Sequence, residues 1–173
     1  IVLVIGGSGS GKSEFAETIC MELRRKKSVT LQRCRLLTRK AGQELRNTGR
    51  LEAGKFETIE QGTHLEAVCL PAGCTALLEC MSNLVANEVF APEGRGADCS
   101  EVLKCGLHHL AGTAAHLVIV TNDIFFGGVT YDPETEQYRK ILGEVNREAD
   151  GMADYVYEVV VGIPIGVKGE KRD

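Results

Sequence analysis

The sequence predicts an α/β fold, a doubly wound and mostly parallel β-sheet with helices on both faces. Short apolar runs rich in β-branched residues, typical of parallel strands buried on both faces, alternate with longer segments whose apolar residues recur at helical spacing. The first of these runs leads through a glycine-rich loop into a helix, the arrangement that begins a βαβ unit. Because the 173 residues contain no repeat and no low-complexity linker, we expect a single domain over residues 1–173.

The first half of the chain begins with a β-branched run at residues 1–5, which predicts a buried strand. Residues 13–27 place apolar side chains on one helical face. The sequence of residues 35–57 is rich in Arg, Lys and Gly. It predicts only a helix over 36–46, followed by a loop. The other elements predicted here are a weaker strand at 29–31, a strand at 56–59, a helix at 63–70 ended by Pro71 and Gly73, and a strand at 75–79.

The second half continues the alternation of helices and strands. Ser82 is a candidate N-cap for the next helix, and a helix at 99–113 precedes a β-branched strand at 116–120. Asp132-Pro133 is a cap followed by proline at the first helical position, which predicts a helix to about Gly151. A last strand at 156–161 is followed by a Gly/Pro turn and a polar tail. We therefore expect five main strands, with ligands at their C-terminal ends.

The loop after the first strand fits G-x-x-x-x-G-K-[ST], the phosphate-binding loop, and this context predicts a P-loop NTPase-like fold. Its glycines allow backbone angles that a Cβ would forbid, so successive N–H groups can face one anion. The N-terminus of the following helix adds positive potential. We expect Lys12 to reach the β- and γ-phosphates of GTP or ATP, and Ser13 to bind Mg²⁺. The predicted phosphate-binding residues are Gly6, Gly7, Ser8, Gly9, Ser10, Gly11, Lys12 and Ser13.

Two other strand ends are expected at the same edge of the sheet as this loop. Glu79 ends the strand at 75–79, and Asn122-Asp123 follow the strand at 116–120. A carboxylate at the end of a neighbouring strand binds Mg²⁺ directly or through water in nucleotide-binding proteins of this kind. Glu79 is therefore the candidate metal ligand and, with Lys12, a candidate catalytic residue; Asp123 is a weaker candidate. The alternative is that Glu79 ends its strand in solvent.

Composition limits the classes of partner. The net charge of -4 argues against a nucleic-acid-binding surface, and no apolar run approaches the length of about 18 residues needed to cross a membrane. The spacing of the seven cysteines includes no C-x-x-C motif, and the cysteines do not stand at zinc-ligand spacings from the four histidines. We therefore expect a cytoplasmic protein with free thiols and with neither nucleic acid nor membrane as partner.

Motifs beyond the loop carry a resemblance to one family. The opening resembles a family start that commonly reads G-G-x-R-S-G-K-S. Five further elements match in order: Phe56-x-Thr58-x-Glu60 (W-x-T-x-E), Leu78-Glu79-Cys80 with Asn87 (L-[DE]-C, then Asn), Val120 to Asp123 (V-T-N-E-V-G), Tyr138-Arg139 with Gly143 and Asn146 (F-R-D-x-x-G-x-x-N-Q), and Gly162-Ile163-Pro164 with Lys168 (G-I-P-x-x-x-K). Most of the chain thus resembles the bifunctional adenosylcobinamide kinase / adenosylcobinamide-phosphate guanylyltransferase family of cobalamin biosynthesis.

The chain also departs from that family. The family carries a histidine after its second strand, usually within R-I-x-x-H, which takes up GMP covalently. Residues 36–55 contain no histidine, which leaves His64, His108 and His109 as candidate substitutes. Three single positions differ as well: Gly9 stands for the family's arginine, Asp123 for its glutamate and Arg147 for its glutamine.

The resemblance implies phosphorylation of the aminopropanol hydroxyl of adenosylcobinamide by GTP or ATP with Mg²⁺, and a homotrimer. It also implies guanylyl transfer, which the missing histidine puts in doubt. Arginines of the 33–50 segment either add positive charge at the phosphates or form a solvated face (Arg33, Arg35, Arg39, Arg46 and Arg50). Two alternatives stay open: a kinase for another small alcohol, and a nucleotide-binding regulatory protein without catalysis.

Overall fold

The computed structural model describes residues 1–25, 31–35, 57–71, 73–124 and 131–169. The strands are β1 (Val2–Gly6), β2 (Leu31–Arg35), β3 (Glu57–Glu60), β4 (Thr75–Glu79), β5 (His116–Asn122), β6 (Tyr155–Val160) and β7 (Ile163–Lys168). They form one sheet in the order β3-β2-β4-β5-β1-β6-β7. All neighbouring strands pair in parallel except β6 and β7, which are antiparallel. The prediction of a mostly parallel sheet is confirmed.

Helices cover both faces of this sheet, as predicted. They are α1 (Lys12–Arg25), α2 (Met81–Phe90), α3 (Ser100–Thr113) and α4 (Pro133–Met152). Because successive side chains of a strand point to opposite faces, Val2 and Val4 of β1 pack with α1, whereas Leu3 packs in the second core, beneath α2 to α4. None of the described helices is long and apolar enough to span a membrane.

The register places three strand ends at one edge of the sheet. Gly6, the last residue of β1, lies opposite Asn122 of β5, and Leu78 of β4 lies opposite Ile119 of β5. Since all three strands run in the same direction, Glu79 and Asn122 end at the edge where the glycine-rich loop begins. The structure therefore has the common edge that the sequence predicted.

The sheet is larger than the five main strands expected, because β3, predicted as a short strand at 56–59, and the unpredicted β7 both join it. β7 lies in the segment that the sequence assigned to a turn and a polar tail. Its proline and glycine suggested a turn, but an edge strand tolerates both residues because one side of its backbone needs no partner. Val161 and Gly162 connect β6 to β7 with φ of 49° and 79°, and tight two-residue hairpins of type I′ require positive φ at both positions.

Two helix predictions are wrong. The helix expected at 63–70 is a single 3-10 turn at Leu65–Ala67, because His64 before it is left-handed (φ 57°) and Val68 after it is extended. Ser82 is not an N-cap, since α2 begins earlier and Cys80 holds the capping position without a side-chain cap bond. The helix expected at 36–46 lies outside the described residues.

The predicted start of α4 is confirmed. The Asp132 carboxylate accepts the backbone N–H of Thr135 at 3.0 Å and the Thr135 hydroxyl at 2.6 Å, and Pro133 opens the helix. These hydrogen bonds favour the charged carboxylate and lower the pKa of Asp132.

Candidate nucleotide-binding site

The glycine-rich loop has a conformation that depends on two of its glycines. Gly9 and Gly11 have φ of 72° and 88°, in the left-handed region that disfavours residues with a Cβ. The loop closes through a hydrogen bond from Ser10 N to Gly7 O (3.2 Å), and α1 continues from it with Phe15 N donating to Gly11 O (3.1 Å). The helix N-terminus therefore faces the loop mouth, as a phosphate cradle requires.

Lys12 is held at this mouth. Its side chain is 9% exposed, and its Nζ donates a hydrogen bond to the carbonyl oxygen of Gly7 at 3.0 Å. Burial lowers the pKa of Lys12, and the nearby Cys80 and Glu79 oppose that shift. The ammonium of Lys12 is thus electrostatically coupled to the end of β4. A cation in this position can offset negative charge on bound phosphates.

Glu79 is half-buried and ends β4, which lies next to β5 in the sheet. Within the described residues, no cluster of three or more His, Cys, Asp or Glu side chains could hold a metal by itself. A single carboxylate beside a phosphate-binding loop suits Mg²⁺, which is commonly bound by one or two carboxylates together with substrate phosphates. Ser13 at the start of α1 and Glu79 are the protein groups that would hold it.

A small polar cluster continues from Glu79 along the same edge of the sheet. The Nδ2 of Asn122 donates to Ser82 Oγ at 2.7 Å and lies 3.7 Å from Cys80 Sγ, and Cys80 Sγ is 3.3 Å from Ser82 Oγ. Tyr138 of α4 donates its hydroxyl to the Ser82 carbonyl at 3.2 Å, and burial raises the pKa of Tyr138 to about 12. The sequence identified Asn122 through its strand end but not the role of Ser82, because that contact joins residues 40 positions apart.

The β6–β7 hairpin supports the phosphate loop from the other side. Gly162 N–H donates to the carbonyl oxygen of Ser10 at 2.8 Å. A Cβ on Gly11 would lie 3.2 Å from Gly162 Cα, and a Cβ on Gly6 would lie 2.8 Å from the Val159 carbonyl oxygen. The hairpin therefore packs against the loop backbone. Sequence analysis missed this support, because it read residues after the last strand as a tail.

We expect Gly6→Ala to destabilise the protein by about 1–3 kcal/mol, because its Cβ would overlap a backbone oxygen that cannot move freely. Gly7→Ala is the matched control, since an ideal Cβ at Gly7 has nothing within 4 Å. Its effect should stay within about 0.5 kcal/mol. Urea unfolding of both variants measures the difference. Equal stability of the two variants would contradict the close packing of the loop against β6.

Three of the four histidines have ring nitrogens engaged in contacts away from the loop. His64 has Nε2 3.1 Å from the Glu93 carbonyl oxygen and Nδ1 3.0 Å from Arg95 Nη2. On α3, His108 Nε2 lies 2.7 Å from Glu148 Oε1, and His109 Nε2 lies 2.9 Å from the Val68 carbonyl oxygen. These contacts give each ring a structural partner. The arginines at 39, 46 and 50 and the segment 36–55 lie outside the described residues.

Residues 2–167 match the protein family described as cobinamide kinase / cobinamide phosphate guanyltransferase. The chain belongs to this family. The resemblance inferred from its motifs is thereby confirmed, and with it the identification of a nucleotide-dependent kinase and guanylyltransferase family of cobalamin biosynthesis.

Two curated relatives of the cobinamide kinase family are similar over nearly their whole length. They are the bifunctional adenosylcobalamin biosynthesis proteins CobU of Salmonella typhimurium and Escherichia coli, each 26% identical over 182 residues, covering 97% of this chain and 99% of the relative. A solved structure, the flagellar accessory protein FlaH from Methanocaldococcus jannaschii, matches with a TM-score of 0.52 at 13% identity, covering 98% of this chain and 78% of that chain. At this identity the likeness supports the α/β fold alone.

Nucleotide affinity should decrease at alkaline pH in this family member. The pKa of Lys12 lies below the ordinary lysine value, so as pH rises the ammonium loses its charge earlier than an exposed lysine would. The favourable charge is present below that lowered pKa and is lost as pH rises through it. Nucleotide titrations from neutral to alkaline pH measure the loss, with Lys12→Ala as control. A variant that keeps the wild-type pH dependence would show that another group titrates.

Proposed function

We propose that this chain transfers the γ-phosphoryl group of GTP or ATP to the hydroxyl of the aminopropanol arm of adenosylcobinamide. The observation that carries the proposal is the buried Lys12 in a phosphate loop at the end of β1, within electrostatic reach of Glu79. Membership of the cobinamide kinase family supports the acceptor, since the family description names cobinamide.

In the proposed reaction, the acceptor oxygen attacks the γ-phosphorus in line while the bond to the β-phosphate oxygen breaks. The nucleoside diphosphate leaves, and the proton of the acceptor hydroxyl is released to water. The ammonium of Lys12 and the N–H groups of Gly6 to Ser13 stabilise the negative charge that spreads over the equatorial oxygens. Ser13 and Glu79 hold Mg²⁺, which when bound neutralises phosphate charge. Because the loop is fixed by its glycines and by the β6–β7 hairpin, these donors are positioned before the nucleotide binds.

The test is transfer of label from γ-labelled GTP or ATP to adenosylcobinamide, each nucleotide offered separately. We expect labelled adenosylcobinamide phosphate with at least one of them, and the ratio of kcat/KM values decides the nucleotide preference. Transfer only to another small alcohol would favour the alternative kinase. Nucleotide binding without turnover of any acceptor would favour a regulatory protein.

For the family's second reaction, we propose that this chain does not use the histidine of the R-I-x-x-H segment, because residues 36–55 contain none. Guanylyl transfer through histidine forms a bond from an imidazole nitrogen to the α-phosphorus of GTP and releases pyrophosphate. Tyr, Lys or Arg does not simply replace an imidazole that must be both nucleophile and leaving group near neutral pH. The contacts of His64 with Glu93 and Arg95 disfavour it as a relocated nucleophile.

Incubation with α-labelled GTP, followed by alkaline denaturation and peptide mapping, tests this second proposal. We expect no acid-labile label on residues 36–55. A covalent label on that segment would contradict the proposal, and a label on His64 would reveal a relocated nucleophile despite its structural contacts.

We propose a cytoplasmic, reducing environment for this chain. The six cysteines whose side chains the structure describes are all free thiols. Burial raises the pKa of Cys20 to about 12 and that of Cys99 to about 11, so these two thiols are protonated and poorly reactive near neutral pH.

We also propose a homo-oligomer, a trimer by the family resemblance, that uses the outer edge of the sheet. The edge strand β7 exposes Ile163 (65%), Ile165 (48%) and Val167 (63%), which follow one another on one face. Contiguous exposed apolar patches commonly mark protein interaction sites. The double variant Ile163→Lys, Val167→Lys should have the sedimentation coefficient of a monomer. Met21→Lys, at an exposed apolar position of α1, should leave the assembly unchanged, and an unshifted double variant would exclude this edge as the interface.

A further inference from the structure

Beside the phosphate loop lies a cavity of about 370 Å³ that the proposed kinase reaction leaves without a role. It opens between the C-terminal ends of β1 and β5 and one face of α4, and the lining side chains that matter below are Asn122, Asp123, Asn146, Arg147 and Asp150. Cavities of roughly 300–1,000 Å³ are typical of sites for small ligands or for parts of larger ones.

One backbone hydrogen bond joins the lining of this cavity to the phosphate loop. Asp123 N–H donates to the carbonyl oxygen of Gly6, the residue that opens the loop, at 3.2 Å. Thr121 donates its hydroxyl to Asn146 Oδ1 at 2.9 Å and so ties the end of β5 to α4. The cavity wall at Asp123 is therefore joined directly to the first residue of the phosphate loop.

The described lining offers a nucleotide base nothing to stack on, because none of these residues is aromatic. Its charges are mixed: Asp123 and Asp150 are acidic, Asp150 Oδ1 lies 3.8 Å from Lys168 Nζ, and Arg147 contributes a guanidinium. Amides, carboxylates and one guanidinium together offer both donors and acceptors. Such a set matches a neutral ligand that carries hydroxyl and amide groups.

We infer that this cavity receives the aminopropanol arm of the corrinoid acceptor, an inference that rests on the proposed kinase function. The arm carries a hydroxyl, which can donate to the carboxylate of Asp123, and an amide carbonyl, which can accept from Arg147 or Asn146. The cavity holds the arm but not a corrin ring, so the ring lies outside, and the hydroxyl enters from the side of β5 next to Gly6. Asp123 and Arg147 thus determine affinity for the acceptor rather than for the nucleotide.

The experiment compares Asp123→Asn and Arg147→Ala with the wild type in steady-state phosphorylation of adenosylcobinamide and in nucleotide titrations. We expect each variant to raise KM for adenosylcobinamide by about tenfold or more, with the nucleotide Kd within about twofold of wild type. Lys140→Ala is the matched control, an exposed cation on the same helix outside the cavity. Since Arg147 is exposed and Asp123 only half-buried, thermal unfolding of all three variants should match wild type.

An unchanged KM in both variants would overturn the inference while leaving the proposed function standing. A parallel loss of nucleotide affinity would also overturn it, because the cavity would then belong to the nucleotide. Equilibrium dialysis of adenosylcobinamide against the wild-type protein tests acceptor binding separately from catalysis. A wild-type protein that neither binds nor phosphorylates adenosylcobinamide refutes the proposed function, and the acceptor site with it.

Discussion

Lys12→Ala should lower kcat for phosphorylation of adenosylcobinamide by about a thousandfold, on the order of 4 kcal/mol of lost transition-state stabilisation. The reason is position as well as charge. The Lys12 ammonium is buried at the mouth of the loop and donates to Gly7 O at 3.0 Å. It is therefore already positioned near the γ-phosphoryl group before transfer begins. Single-turnover transfer of γ-label to the acceptor, at saturating nucleotide, measures the chemical step without product release.

Lys104→Ala is the matched control for this lysine. Lys104 lies on α3 and pairs with Glu101 at 2.7 Å, a surface ion pair between neighbouring turns that contributes little to stability. Its removal should leave kcat at the wild-type value. Wild-type turnover in the Lys12→Ala protein would refute the assignment of Lys12, and it would move the search for the phosphate-neutralising cation to the arginines of the 33–50 segment.

The features of the site that sequence analysis could predict have local signatures. The spacing of Gly6, Gly11, Lys12 and Ser13 identifies the loop, since few other backbones need glycine and lysine in that order. The position of Glu79 follows from one further assumption, that β-branched runs separated by helices form a parallel sheet. Their C-terminal ends must then meet at one edge, and the register of β4 and β5 shows that they do.

The features that could not be predicted depend on contacts between distant residues. Nothing near Gly162 indicates that its N–H donates to Ser10 O, and nothing near Ser82 indicates a partnership with Asn122. The strand β7 was missed for a related reason. Pro164 and Gly166 have low strand propensity, which disfavours a strand at these residues. The pairing of β7 with β6 at the sheet edge outweighs this low propensity. The cavity beside α4 likewise exists only after packing.

Glu79→Gln should lower kcat by about a hundredfold at fixed Mg²⁺ and raise the Mg²⁺ concentration needed for half-maximal activity. The amide keeps the size and hydrogen-bonding oxygen of the side chain but removes the negative charge that attracts the ion. A titration of Mg²⁺ at saturating nucleotide, read as initial rate, measures both effects. Glu158→Gln is the control, because Glu158 is exposed on β6, and it should change neither value.

The comparison of Glu79→Gln with Asp123→Asn separates the two carboxylates at this edge. If Glu79 holds the metal and Asp123 the acceptor, the first variant shifts the Mg²⁺ dependence and the second shifts KM for adenosylcobinamide. The reverse pattern would exchange their roles. It would place the metal beside Gly6, where Asp123 bonds through its backbone N–H, and would leave Glu79 as an acid that only ends β4. The electrostatic proximity of Glu79 to the Lys12 ammonium supports the first pattern, because metal and lysine must meet the same phosphates.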